Sequence, residues 1–316
     1  MAKHGATISA VYGIGQSSRT PLTTERCAEA IREAKQLVKT IVMGMKTILW
    51  SLSNLRAPVS QNATRVVTPS GKGMTDEECQ MSSQYFGDAL VCFTLLEGTA
   101  VDASGSSKPG QPVATPKSEQ KELLELFSGA FTVLEIQNFR EVIGRHIMPH
   151  LFDLIVRKPQ FVVIPQNFLR NSNVTRVFAD ILLTFIISRL KSLGEKSAET
   201  TQTLTLCKML FSSVFLFPDN EPVLRSHLRS VITNCLRYSA EVKDPIRYFQ
   251  LLRSLFKSIE GGKFEGLYKE LQPLLPELLS SLIKLQHTAD PSTRSLFVEL
   301  CLTVSFSSSL PLADIS

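Results

Sequence analysis

Apolar residues recur every three or four positions through most of this chain, and the pattern is cleanest in its last third. Ile246, Phe249, Leu252, Leu255, Phe256 and Ile259 repeat at helical spacing, which puts them on one face. Gly261 and Gly262 follow, and glycine takes the left-handed conformation that ends helices. Phe264, Leu267, Leu271, Leu274, Leu275, Leu278, Leu282 and Leu285 form a second stripe. Pro273 and Pro276 fall inside it, so this helix is expected to kink or split there. Leu296, Phe297, Leu300, Cys301 and Val304 make a third, shorter face. Antiparallel helices with short joins are the repeating unit of an α-solenoid.

The same pattern extends upstream. Ile31, Ala34, Leu37, Val38, Ile41, Met45, Ile48, Leu49 and Leu52 stripe a long helix over 24–56. It closes at Ala57 and Pro58, because the residue before proline avoids the helical region. Trp50 lies on a stripe of this helix and is expected in the core. A polar loop with Pro69, Gly71 and Gly73 leads to a helix over 75–97, where Thr75 and Glu78 have the spacing of a capping box. Residues 98–118 are rich in glycine, proline and serine and read as a linker. Beyond it, helices are expected over 119–131, 139–156, 172–193, 199–217, 221–240 and 245–260, with Pro149 bending the second. Joins are expected over 135–138 and between Pro159 and Pro165. Asp219 and Asp244 read as caps, and Pro222 and Pro245 suit first-turn positions.

These stripes predict an all-α chain, an α-solenoid of HEAT-like antiparallel helix pairs recurring about every 40 residues. The expected division is a disordered N-terminal segment over 1–23, a helical segment over 24–97, a disordered linker over 98–118, HEAT-like repeats over 119–304 and a tail over 305–316.

Hydrophobic residues make up 43% of the 316 positions, which excludes a wholly disordered chain. The net charge of +5 is too small for a nucleic-acid-binding arm, so neither sequence-specific nucleic acid nor a membrane is expected as a partner. The six cysteines form no CxxC pair and read as buried free thiols. The most apolar run, residues 177–188, is too short to span a bilayer and carries Asp180.

Catalytic patterns fail on inspection. His146 and His150 stand four apart, but Pro149 lies between them and no further ligand has metal-site spacing. At Gly71-Lys72 a phosphate-binding loop would need glycine where Val66 stands and a hydroxyl residue where Gly73 stands. No metal, cofactor or enzymatic activity is expected. Arg225, Arg229 and Arg237 lie on one predicted helix, and Arg247 and Arg253 on the next. Arginines at such spacings suit a basic ridge for an acidic protein partner, and equally the solvated outer face of a solenoid.

Several colinear blocks carry a family resemblance. They are LVKTIVMGMKTILWSLSNLRAP (37–58), KELLELFSGAFTVLEIQNFREVI (121–143), FLRNSNVTRVFADILLTFIISRL (168–190) and LCKMLFSSVFLFPDNEPVLRSHL (206–228). YFQLLRSLFKSIEGG, LYKELQPLLPELLSSL and LFVELCLTV continue the series to residue 304. Together they resemble the HEAT-repeat region of the transformation/transcription domain-associated protein (TRRAP) family. The resemblance implies a nuclear, non-catalytic scaffold of SAGA-type histone acetyltransferase complexes, which docks transcription activators and sister subunits. The family's kinase-like region has no counterpart here. The resemblance also implies a piece of a longer solenoid whose ends expose apolar faces, with residues 1–26 and 305–316 outside the likeness. The other reading of the helical pattern is a HEAT-type adaptor of another class, such as transport or trafficking.

Overall fold

The computed structural model describes residues 24–54, 74–98, 116–259, 264–288, 294–296, 298–300 and 302. The segment 1–23, the loop 59–73, residues 99–115 of the linker and the tail 305–316 lie outside the described residues. Among the described residues every regular element is helical. α1 spans Thr24–Asn54, α2 Asp76–Gly98 and α3 Pro116–Phe131. α4, Ile136–Phe139, runs through a π-helical stretch, Arg140–Ile147, into α5, Met148–Arg157. A 3-10 turn, Pro159–Val162, opens α6, Val163–Arg170, and α7 is Thr175–Arg189. A second 3-10 turn, Leu190–Gly194, precedes α8, Ala198–Leu216, and a third, Pro218–Asn220, leads into α9, Glu221–Glu241. α10 is Ile246–Ile259, α11 is Glu265–Leu271, and Gln272–Leu274 joins α11 to α12, Leu275–Thr288.

Stacking follows one rule. α1, α3, α6, α8 and α10 pack in that order as one layer. α2, the π-helical stretch, α7, α9 and α11 pack in order as the other. Elements of the two layers alternate along the chain, and α6 packs on α7 and α8 on α9, so the chain is an α-solenoid of HEAT type. The first-layer helices from the second pair onward begin at Pro116, Val163, Ala198 and Ile246, that is 47, 35 and 48 residues apart.

Local signals explain most element ends. The Thr75 N–H donates to Glu78 Oε2 at 2.6 Å and the Glu78 N–H to Thr75 Oγ1 at 3.2 Å, the two bonds of a capping box. The Ile246 N–H donates to Asp244 Oδ1 at 3.4 Å. Asp219 does not cap α9. It lies in the 3-10 turn, and Asn220 occupies the N-cap position without a side-chain cap bond. The Asn220 amide is instead drawn inward, donating to Thr175 Oγ1 at 2.9 Å and Ser213 Oγ at 3.1 Å, which ties α7, α8 and α9 together. α11 and α12 are split where Pro273 removes a backbone donor.

Four expectations change. Residues 136–138 are helical rather than a join, because the Glu135 carboxylate caps the turn by accepting the Gln137 N–H at 2.9 Å. Ahead of Pro149 the helix widens into a π-helical stretch, which a plain bend does not anticipate. The Met148 N–H reaches back five residues to the Ile143 carbonyl, and the register shift ends where the proline has no N–H to give. The stretch between Pro159 and Pro165 is no join either. α6 runs through Pro165, the third helical residue, whose N–H would have had no helical partner anyway. Phe161, Ile164 and Phe168 are fully buried at helical spacing, so packing overrides the β-branched run. Trp50 is not core: it is 48% exposed, because Val42 and Leu49 take the buried stripe and Trp50 is turned about 100° from Leu49.

Candidate protein-docking surface

The buried stripes leave the polar faces of both layers outward, and the basic residues there divide into two groups. Arg225 and Arg229 are exposed on α9, in the second layer. Arg237 lies farther along α9, its guanidinium 4.6 Å from the Tyr238 ring centroid and bonded to Asn234 Oδ1 at 3.0 Å and Tyr238 Oη at 2.7 Å. Arg247 and Arg253 belong to α10, in the first layer. Arg247 Nη1 donates to the Glu195 carbonyl at 3.3 Å. Arg253 pairs with Glu299 at 2.7 Å. The structure therefore brings Arg225 and Arg229 together on one helix face and separates them from Arg253.

The same layer carries a groove between the π-helical stretch, α7 and α9, whereas Arg225 lies against Gly266 of α11. Arg140, Arg176 and Ser226 stand on the groove's rim, and Val177, Pro222 and Val223 are its apolar lining. Asp180 is its one acid among the described residues. It accepts from Arg140 Nη1 at 2.8 Å and contacts His227 Nε2 at 3.2 Å, so one carboxylate links three successive helix pairs. Sequence reasoning missed Arg140, Arg176 and His227. The one local signal is Arg176 and Asp180, four residues apart on one face of α7. Such a surface offers apolar floor and guanidinium rim, which suits an amphipathic segment carrying carboxylates.

Asp180 gives this face a pH signature. Burial raises its pKa, but the hydrogen bonds from Arg140 and His227 outweigh burial and hold it below the ordinary value of 3.8. A depressed folded pKa means stabilisation that is complete above 3.8 and disappears as pH falls through the lower folded value. The group is partly exposed, so the expected cost of Asp180→Asn at neutral pH is about 1 kcal/mol. Urea unfolding of both proteins from pH 7 downward should show that gap closing in acid. A gap that persists unchanged into strong acid would show that the contact does not stabilise the fold through its charge.

His150 is exposed, and the His146 side chain lies outside the described residues. Among the described residues no three His, Cys, Asp or Glu side chains group as a metal site. Burial pushes the Cys207 thiol up to about 12 and raises Cys235 as well, so neither is a reactive thiolate near neutrality. Cys92 is exposed and Cys79 half-buried, so among the four cysteines whose side chains are described the expectation of buried thiols holds for Cys207 and Cys235. Among the described residues no helix is long and apolar enough to cross a membrane.

The family model described as the Tra1 HEAT repeat central region matches residues 4–312. The chain belongs to the Tra1 family. The match runs past both ends of the likeness read from the sequence, and so takes in most of the residues expected to lie outside it. Among Tra1 relatives, Transcription-associated protein 1 of Drosophila melanogaster is 33% identical over 285 residues. Transformation/transcription domain-associated protein of Homo sapiens is 32% identical over 280 residues, and the SAGA complex/NuA4 acetyltransferase complex subunit TRA1 of Saccharomyces cerevisiae is 32% identical over 292. Each alignment covers 87% of this chain but only 7% or 8% of the relative, so the chain spans less than a tenth of the length of these Tra1 proteins.

Proposed function

We propose that this chain is a scaffold segment of a histone acetyltransferase coactivator of the SAGA and NuA4 type, working in the nucleus without catalysing a reaction. Its mechanism is surface display. Stacked helix pairs hold a fixed outer face, and transcription activators or sister subunits dock on it. The observation that carries this reading is the family match over residues 4–312, whose relatives include a named subunit of those complexes. The basic ridge is proposed in reduced form. Arg225, Arg229 and Arg237 supply cations of the second-layer face, while Arg247 and Arg253 serve the opposite layer.

The test is affinity capture from nuclear extract with the tagged chain, with the recovered subunits identified by mass spectrometry. Subunits of acetyltransferase complexes are expected. Joint replacement Arg225→Glu, Arg229→Glu and Arg237→Glu should weaken binding of a recovered subunit, measured with purified components, by on the order of tenfold or more. Recovery of transport or trafficking components instead would overturn the reading in favour of an adaptor of another class.

A further inference from the structure

The first-layer face carries its own groove, between α8 and α10. Its charges among the described residues are Lys208, Arg253 and Lys257, with Gln250 and Ser254 between them and no described acid in the lining. The Ser254 hydroxyl donates to the Gln250 carbonyl at 3.0 Å, so its hydrogen is spent within the helix. The lining therefore offers donors mainly through its three cations and the Gln250 amide. Lys208 makes no ion pair among the described residues.

One anion already sits at the edge of this groove. Glu299, in the last described helical turns, places Oε2 2.7 Å from Arg253 Nη2 and Oε1 2.6 Å from Lys257 Nζ. Arg253 and Lys257 are four residues apart, hence one turn apart on the same face of α10. The hydrogen bonds from Lys257 and then Arg253 hold the Glu299 carboxyl below its ordinary value. Leu300 and Leu296, 0% and 9% exposed, anchor the segment that carries it. Among the described residues Arg253 Nε is buried with no hydrogen-bond partner. Three cations thus face one carboxylate, which reaches two of them.

We propose that Arg253 and Lys257 form a carboxylate receptor that Glu299 fills in cis, and that a glutamate-bearing helix of a protein partner fills it in trans by lying in the α8–α10 groove and reaching Lys208. Glu299 is then a built-in competitor that sets the affinity of this face. The occupant's class rests on the docking reading above. Its chemistry rests on the structure, where the anion seated on these two cations is a helix-borne carboxylate. Arg253 and Lys257, one turn apart with Lys208 across the groove, match glutamates at four-residue spacing; an extended nucleic-acid backbone needs a longer basic track.

The probe is a fluorescent alanine-rich helical peptide with glutamates at four-residue spacing, and its glutamine counterpart is the control. Anisotropy is read at low and moderate salt. Glu299→Gln should tighten binding of the acidic peptide several-fold, Glu299→Asp should leave it near the parent value, and Lys208→Ala in the Glu299→Gln background should cancel the gain. Leu300→Ala loosens the segment while keeping the carboxylate, and separates detachment from loss of competition: tightening by Leu300→Ala but not by Glu299→Gln would overturn the role of Glu299. Equal affinity of parent and Glu299→Gln, with unchanged circular dichroism, would overturn the competitor. Absence of acidic-peptide binding to both would overturn the groove, as would preferential binding of labelled single-stranded DNA. Partner capture sensitive to Arg225 and Arg229 would survive any of these, because those residues lie on the other layer.

Discussion

Replacing Phe127 with alanine is expected to cost about 3–5 kcal/mol, a large share of the 5–15 kcal/mol that keeps a typical domain folded. Phe127 on α3 is completely buried, and its ring is the hub of an aromatic cluster. The Phe86 centroid lies 4.8 Å away, Phe93 5.0 Å and Phe131 5.4 Å, mostly at tilted or edge-on angles that aromatic pairs favour. Alanine removes the buried area and leaves a cavity that the surrounding rings, themselves well packed, cannot close. Because solenoid pairs are held chiefly by their neighbours, the loss should stay local. Hydrogen exchange should show lost amide protection in α1, α2 and α3, while α8 to α10 keep theirs. Uniform loss along the whole chain would mean that the array folds as one cooperative unit, and a cost below about 1 kcal/mol would mean that the cluster is not the core of the first pairs.

The helices built on unbroken stripes were legible in the sequence because burial and periodicity coincide there. Phe249, Leu252, Leu255, Phe256 and Ile259 all prove fully buried on α10, as a single apolar face predicts. α6 was not legible: a β-branched run between two prolines carries every local mark of a join, and what makes it helical is packing against α3 and α8. Trp50 failed for a different reason. α1 has apolar residues on more than one side, with Leu37, Ile41 and Ile48 also exposed, so composition alone does not say which stripe faces α3.

The candidate docking surface was legible only as residue types. The spacing of Arg225 and Arg229 fixes their common helix face, and the structure keeps it. It cannot show that α9 and α10 belong to opposite layers, which separates Arg253 from them. Nor can it show that Arg140, Asp180 and His227 meet, because these residues lie 40 and 47 positions apart and are joined only by stacking of successive pairs. Glu299 is the same case at 46 positions from Arg253. In a solenoid, contacts between pairs depend on the offset from one repeat to the next, and irregular repeat lengths such as 47, 35 and 48 hide that offset from any fixed spacing rule.

Tyr248 should be the corresponding weak point of the later pairs. It is fully buried on α10, and its hydroxyl donates to the Lys191 carbonyl at 3.1 Å, which pins α10 to the 3-10 turn after α7. The fit around it is close: a Cβ on Gly194 would lie 2.5 Å from Val242 Cγ1 and 3.6 Å from the Tyr248 hydroxyl. Tyr248→Phe keeps the ring and deletes the donor, leaving a carbonyl with one partner fewer, at an expected cost of about 1–2 kcal/mol. Tyr248→Ala removes the ring as well and should cost about 3–5 kcal/mol. Urea unfolding followed by circular dichroism gives both values, and hydrogen exchange should localise the damage to α7 through α10. If Tyr248→Phe costs as much as Tyr248→Ala, the hydrogen bond rather than ring packing holds these pairs together. Phe127→Ala and Tyr248→Ala are far apart along the array, so their costs should add within a few tenths of a kcal/mol. Strong coupling between them would mean that strain passes through the intervening pairs, and the solenoid would then have to be treated as a single spring rather than a row of neighbours.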